Sequence, residues 1–256
     1  MRVIFSGLLV LMVASFVIAE DPPSPAAKQF QTLLDEYEQQ GGATTVAKQL
    51  LPLAEENPKD PIAVDALLWI VKHVRGRSET SQAIELLITN HLDSHKLGPA
   101  CKEVAISRSL VAEKLLRTLL NRSPHAEVKA HACYALATLL DTEANVIAQL
   151  RAEPALAPRV LQYYGKEYGQ HLASLESDKL AKLREQVYET MLNSFADVAM
   201  QDTTLGEISK KALFAIRHLS VGVVAPDIEG KDIAGKEFTL SSFRGKVVMV
   251  TFWGHW

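Results

Sequence analysis

The chain has 256 residues, enough for one large domain or two small ones. Hydrophobic residues make up 48% and charged residues 22%, which excludes a disordered or fibrous chain and permits a packed interior. The formal net charge of -3 comes without a concentrated basic block, which argues against nucleic-acid binding.

Taken in chain order, Arg2 and the apolar run Val3 to Ile18, closed by Val17-Ile18-Ala19, read as a signal peptide over residues 1–19. The mature chain would start near Glu20 and be periplasmic or secreted. The alternative is a membrane anchor formed by an uncleaved leader, although the run is short of the ~20 residues a span needs. Proline at 22, 23 and 25 follows at once. Beyond the leader no stretch is apolar enough to cross a bilayer.

Residues 20–218 read as one helical domain. Phe30, Leu33, Leu34 and Tyr37 recur at helical spacing up to Gly41-Gly42. Val46, Leu50, Leu51 and Leu53 continue the pattern across Pro52, where a kink or a turn end is expected. Asp60-Pro61 reads as an N-cap with proline at the first helical position of a segment from Ile62 to Val74. Ser81 to Leu92 is a further helix. Gly98-Pro99 punctuates the chain, and Cys101 to Leu120 holds one or two more helices. Ser123-Pro124 is expected to open a helix whose face carries Val128, Ala132, Ala135, Leu136, Leu139 and Leu140. A separate short helix is expected at Val146 to Leu150, then one or two long amphipathic helices from Leu172 to Met200. Thr204 and Glu207 form a capping box for a last helix ending at about His218. The fold class is mainly α: an irregular helical bundle or an α-solenoid of TPR or HEAT type.

Composition changes at Ser220. Glycines at 222, 230, 235 and 245 replace helical spacing. Asp232-Ile233-Ala234-Gly235-Lys236 reads as a turn, Phe238-Thr239-Leu240 as a short strand, and Lys246 to Trp253 as a strand buried on both faces. Gly222, Ala225-Pro226-Asp227, the Asp-x-x-Gly-Lys turn, Leu240-Ser241, Phe243-Arg244-Gly245-Lys246, the Val-Val-Met-Val run, Phe252-Trp253 and Trp256 follow one another in order. This string resembles the opening of a TlpA/ResA-like thioredoxin domain of the redoxin (AhpC/TSA) superfamily, over residues 219–256. The resemblance implies the first strands of a thioredoxin fold and, directly after the position of Trp256, a Cys-x-x-Cys pair. The first of those cysteines would sit at a helix N-terminus that lowers its pKa for disulfide exchange. The printed residues stop before that pair. The expectation is therefore an N-terminal part of an exported thiol–disulfide oxidoreductase with no catalytic, metal or cofactor residue of its own. The alternative is a non-enzymatic helical interaction module with a degenerate redoxin remnant. Proteins, as possible thiol or disulfide substrates, are the expected partners. A peroxidase branch stays open.

Other residues carry weaker signals. Cys101 and Cys133 are spaced as neither a redox nor a metal motif; buried thiols and a structural disulfide both fit. His91 and His95, with Asp93, would share a helix face as a metal site; surface histidines are the plainer reading. Tyr163, Tyr164 and Tyr168 suit packing more than a ligand platform. Asn121-Arg122-Ser123 has the form of a glycosylation sequon but reads as a helix end. Glu36, Glu38, Glu55 and Glu56 read as solvated helix faces.

Overall fold

The structure is a computed structural model that describes residues 22–220, 222–251 and 253. The leader at 1–19, Phe252 and Trp256 lie outside the described residues. The chain is mainly helical, with four short strands in two small sheets among those residues. None of the described helices is long and apolar enough to cross a membrane.

Local chemistry sets many of the helix ends. Helix α1 (Pro25–Gln40) starts where Ser24 Oγ accepts from the Ala27 N–H at 3.0 Å, and it stops at Gly41, whose φ of 71° is costly for any other residue. Helix α2 (Ala43–Glu56) runs through Pro52 without ending there; Pro52 lies on the exposed side while Leu50, Leu51 and Leu53 are buried. Helix α3 (Pro61–His73) has the expected cap, with Asp60 Oδ1 accepting from the Ile62 N–H at 2.9 Å. Helix α4 (Ser78–Asn90) begins three residues earlier than its apolar pattern suggests. Gly98 and Pro99 do not separate helices. They lie in the first turn of α5 (Leu97–Ala105), where the backbone N–H that proline lacks has no helical acceptor anyway.

Helix α6 (Ala112–Arg122) ends at Ser123, the helix-end reading of the Asn121-Arg122-Ser123 triplet. The next helix, α7 (Ala126–Ala152), therefore opens two residues past Pro124, at an N-cap of His125. Ser123 Oγ accepts from the His125 N–H at 3.3 Å, so this serine shapes the link. Helix α7 then continues for 27 residues and absorbs the short helix expected at Val146–Leu150. Its alanines 130, 132, 135 and 137 and Cys133 are buried. Such short side chains let neighbouring backbones approach, and α7 packs against α5, α6, α9 (Lys166–Ser174) and α10 (Ser177–Phe195). Between α7 and α9 lies α8 (Ala157–Tyr164).

A two-residue hairpin, β1 (Ala199–Met200) with β2 (Thr203–Thr204), leads into α11 (Leu205–His218), which packs on α10. Half of the expected capping box forms. Thr204 Oγ1 accepts from the Glu207 N–H at 3.3 Å, but the Glu207 carboxylate turns to the Thr203 hydroxyl at 2.6 Å. From α1 to α4 each helix packs on the next, with lengths of 16, 14, 13 and 13 residues, followed by 9, 11 and 27. The helices thus keep no fixed repeat.

The last segment holds an antiparallel hairpin, β3 (Glu229–Lys231) with β4 (Glu237–Thr239), in which Gly230 faces Phe238. A Cβ on Gly230 would lie 3.2 Å from the Phe238 ring, so glycine lets the ring cover the strand. The Asp232–Lys236 turn forms as expected: Asp232 Oδ1 accepts from the N–H groups of Ala234 and Lys236, both at 2.9 Å. Leu240 belongs to a 3-10 turn (Leu240–Phe243), not to the strand. The buried strand expected from Lys246 to Trp253 is a correction. Residues 246–251 have no strand partner among the described residues, and Val247 and Met249 are almost fully exposed. A ladder needs a neighbouring backbone, whatever the β propensity of its residues.

Candidate functional site

Sulfur chemistry is the first test, because the sequence resemblance points to thiols. Cys101 lies on α5 and Cys133 on α7, and both are free and buried. The Cys101 thiol donates to the Leu97 carbonyl at 3.1 Å, and the Cys133 thiol to the Val187 carbonyl at 3.7 Å. Burial pushes both thiols up to about 12, where almost no thiolate exists at neutral pH. These sulfurs are core residues and form no disulfide.

The histidine pair separates. His91 caps the end of α4 and is buried, which corrects its reading as a surface residue; burial also lowers its pKa. His95 sits in the following turn and stacks on His125, ring centres 3.4 Å apart. Among the described residues no group of three or more metal-ligating side chains converges. Glu36, Glu38, Glu55 and Glu56 are exposed, as helix faces should be.

The tyrosines are where the structure concentrates chemistry. Three chain segments meet: the α3–α4 loop with Arg75 and Gly76, the α5–α6 loop with Arg108, and the end of α8 with Tyr163 and Tyr164. Arg75, Arg108, Tyr163 and Tyr164, with Tyr168 of α9, line a cleft of about 210 Å³ whose walls include Ala105 and Leu139. Arg108 takes a left-handed backbone (φ 58°), a conformation that costs of order 1 kcal/mol or more for a residue with a Cβ. Three contacts hold it there. The neighbouring Ser107 carbonyl accepts from the Gly76 N–H at 2.9 Å, the guanidinium donates to the Tyr163 carbonyl, and its carbon lies 3.8 Å from the Tyr163 ring centre.

Behind the cleft lies a buried carboxyl. Glu143 of α7 is 3% exposed; its Oε1 accepts from the Tyr168 hydroxyl at 2.9 Å and is 3.4 Å from His171 Nε2. Burial raises the Glu143 pKa, and the Tyr168 and His171 contacts offset part of that rise. Burial, then the Glu143 charge, raises Tyr168. Tyr164 stacks on Tyr168 with ring centres 5.8 Å apart, and burial raises its pKa too. The network ties α9 to α7 through a paired buried acid; on the rim Arg75 is paired with Glu103 at 2.9 Å, and Arg108 lies over the Tyr163 ring with no ion pair among the described residues.

Sequence reading grouped the three tyrosines as packing residues, which fits Tyr168, while Tyr163 is exposed. It missed Arg108 and Glu143. Glu143 leaves a trace in the sequence: it interrupts the apolar stripe Leu136, Leu139, Leu140, Val146, Ile147 at helical spacing. Arg108 leaves none, since nothing in Ser107-Arg108-Ser109 demands positive φ.

Comparison with known proteins returns no matching family model, no matching characterised protein and no matching solved structure.

Proposed function

We propose that this chain belongs to an exported thiol–disulfide oxidoreductase of TlpA/ResA type, in which residues 20–218 form a partner-binding helical module ahead of the redox domain. The ordered motif string from Gly222 to Trp253 carries this reading. The hairpin geometry supports it. Asp227 ties the strand entry to the turn after β4, with Oδ1 accepting from the N–H groups of Ile228 (3.0 Å) and Ser241 (2.9 Å) and Oδ2 from the Ser241 hydroxyl. Two members of the string, Asp227 and Ser241, are thus in direct contact. The leader at 1–19 would supply export. The test is to read the gene downstream of the Trp256 codon: Cys-x-x-Cys within the next few codons is expected, and unrelated sequence in every frame would sink the reading.

A second reading, a helical interaction module without redox chemistry, is favoured by the two core thiols. Insulin reduction by the 256-residue chain should stay at background under either reading. Catalytic turnover there would show that Cys101 or Cys133 reacts, against the burial described above.

A further inference from the structure

Two adjoining hollows of about 470 and 430 Å³ run along α6 and the cleft between α6 and α10, sharing Arg117 and Asn121. The first hollow is walled by Lys114, Arg117 and Arg122 against a single carboxylate, Glu113; the second, the α6–α10 groove, carries Arg117 and, from α7 beneath it, Lys129. Arg117 already engages that carboxylate at 2.7 Å. Lys114, Arg122 and Lys129 have no ion pair among the described residues. Such a concentration of uncompensated positive charge stands out in a chain with 27 basic and 30 acidic residues. Lys129 is half-buried between α6 and α10, so part of its stem is fixed before anything binds.

The second feature is spacing. On α10 the polar residues Gln186, Thr190 and Ser194 follow one another every four residues along the groove, above an apolar floor that includes Val187 and Leu183. Opposite them α6 presents Arg117 and Asn121, again four apart. Four helical residues advance ~6 Å, close to the ~6.7 Å between alternate residues of an extended chain. The Gln186 amide and Ser194 hydroxyl on one side and the Asn121 amide on the other can therefore meet outward backbone groups of a strand-like peptide, while the Thr190 hydroxyl donates to the Gln186 carbonyl of its own helix. The apolar floor takes its inward side chains.

We propose that the α6–α10 groove binds an extended acidic peptide segment of a partner protein, with Lys129 as the central cation and Gln186 and Asn121 as backbone-binding amides. The proposal deepens the partner-binding role given to the helical module and is independent of the redox reading, which the downstream codons decide. It is tested on the full chain by fluorescence anisotropy with a labelled (Glu-Val)4 peptide, whose alternate side chains supply the acidic and apolar faces, a (Gln-Val)4 peptide and an oligothymidylate of equal length. The acidic peptide should bind best, with an affinity that falls as salt rises. Lys129→Glu should weaken binding roughly tenfold or more, and Gln186→Leu about threefold to tenfold. Lys129→Arg should stay within about threefold of the parent, and the distant exposed control Lys48→Glu within about twofold. Equal binding of the Glu and Gln peptides, tighter binding of the oligonucleotide, or equal losses from Lys129→Glu and Lys48→Glu would each overturn it. Circular dichroism of every variant separates lost binding from lost folding.

Discussion

The α7–α10 contact offers a quantitative test of how the helical domain is held together. Asp141 of α7 accepts from Arg184 Nε at 2.7 Å and from the Tyr188 hydroxyl at 2.5 Å, both on α10. Tyr188 is only 5% exposed, so water hardly reaches its hydroxyl. In Asp141→Ala that hydroxyl is orphaned, which costs about 1–3 kcal/mol, and the half-exposed Arg184 pair adds roughly 0.2–1 kcal/mol. The sum centres on about 2.5 kcal/mol. Tyr188→Phe should cost less, about 0.5–1.5 kcal/mol, because Asp141 is partly exposed and can turn to water. The double variant has no orphaned hydroxyl, so it should be more stable than the two single losses predict by about 1–2 kcal/mol. Urea unfolding of the four proteins measures this. At an m-value of ~2 kcal/mol/M the Asp141→Ala midpoint should fall by roughly 1 M. Additivity within about 0.3 kcal/mol would refute a direct, water-excluded hydrogen bond between Asp141 and Tyr188.

Thiol reactivity should follow burial: dithionitrobenzoate should find no fast-reacting thiol in the native chain at pH 8 and two after unfolding in guanidinium without reductant. Gly206→Ala should destabilise by about 1–3 kcal/mol, because its Cβ would lie 2.9 Å from the Ala196 carbonyl oxygen and 3.0 Å from the Ala196 side chain. In contrast, Gly98→Ala meets only ordinary contacts at 3.5 Å and should be neutral or stabilising by up to about 1 kcal/mol in thermal melts. Glu143 makes the domain sensitive to pH. Its folded pKa is raised, so the folded state holds a proton the unfolded state releases, and stability should fall as pH rises from the unfolded carboxyl value of ~4.3 through the folded one. Glu143→Gln keeps an oxygen for the Tyr168 hydroxyl and should flatten that decline in denaturation midpoints measured from pH 4 to 8. An unchanged slope would move the proton linkage elsewhere.

Where local chemistry decides, the sequence was readable. Asp60-Pro61, Gly41 and Thr204 mark helix ends because each acts through its own backbone or a neighbour two or three residues away. The readings failed where a distant partner decides. Helix α7 continues past Asp141 because Val146 and Ile147 find apolar neighbours; their helical spacing to Leu139 and Leu140 is present in the sequence, but the polar stretch Asp141 to Asn145, with Glu143 on the buried face, masks it. Pro124 seemed to start that helix, but Ser123 is shared between the end of one helix and the entry to the next. The apolar run from Val247 to Val250 carries strand propensity, yet a strand is a relation between two backbones, and the described residues provide no second one. Of the candidate site, the tyrosines and the stripe-breaking Glu143 were visible as residue types. The left-handed turn at Arg108 that assembles the cleft depends on three loops meeting in space.

The 27 residues of α7 make a rod of ~40 Å against which α5, α6, α9 and α10 all pack. A rod of that length is the mechanical spine of the module. Successive units of a linear array touch only their neighbours, whereas here four helices share one continuous element. The groove takes Lys129 from this helix and the cleft takes Leu139 and Thr142, so both hollows are walled by one continuous backbone.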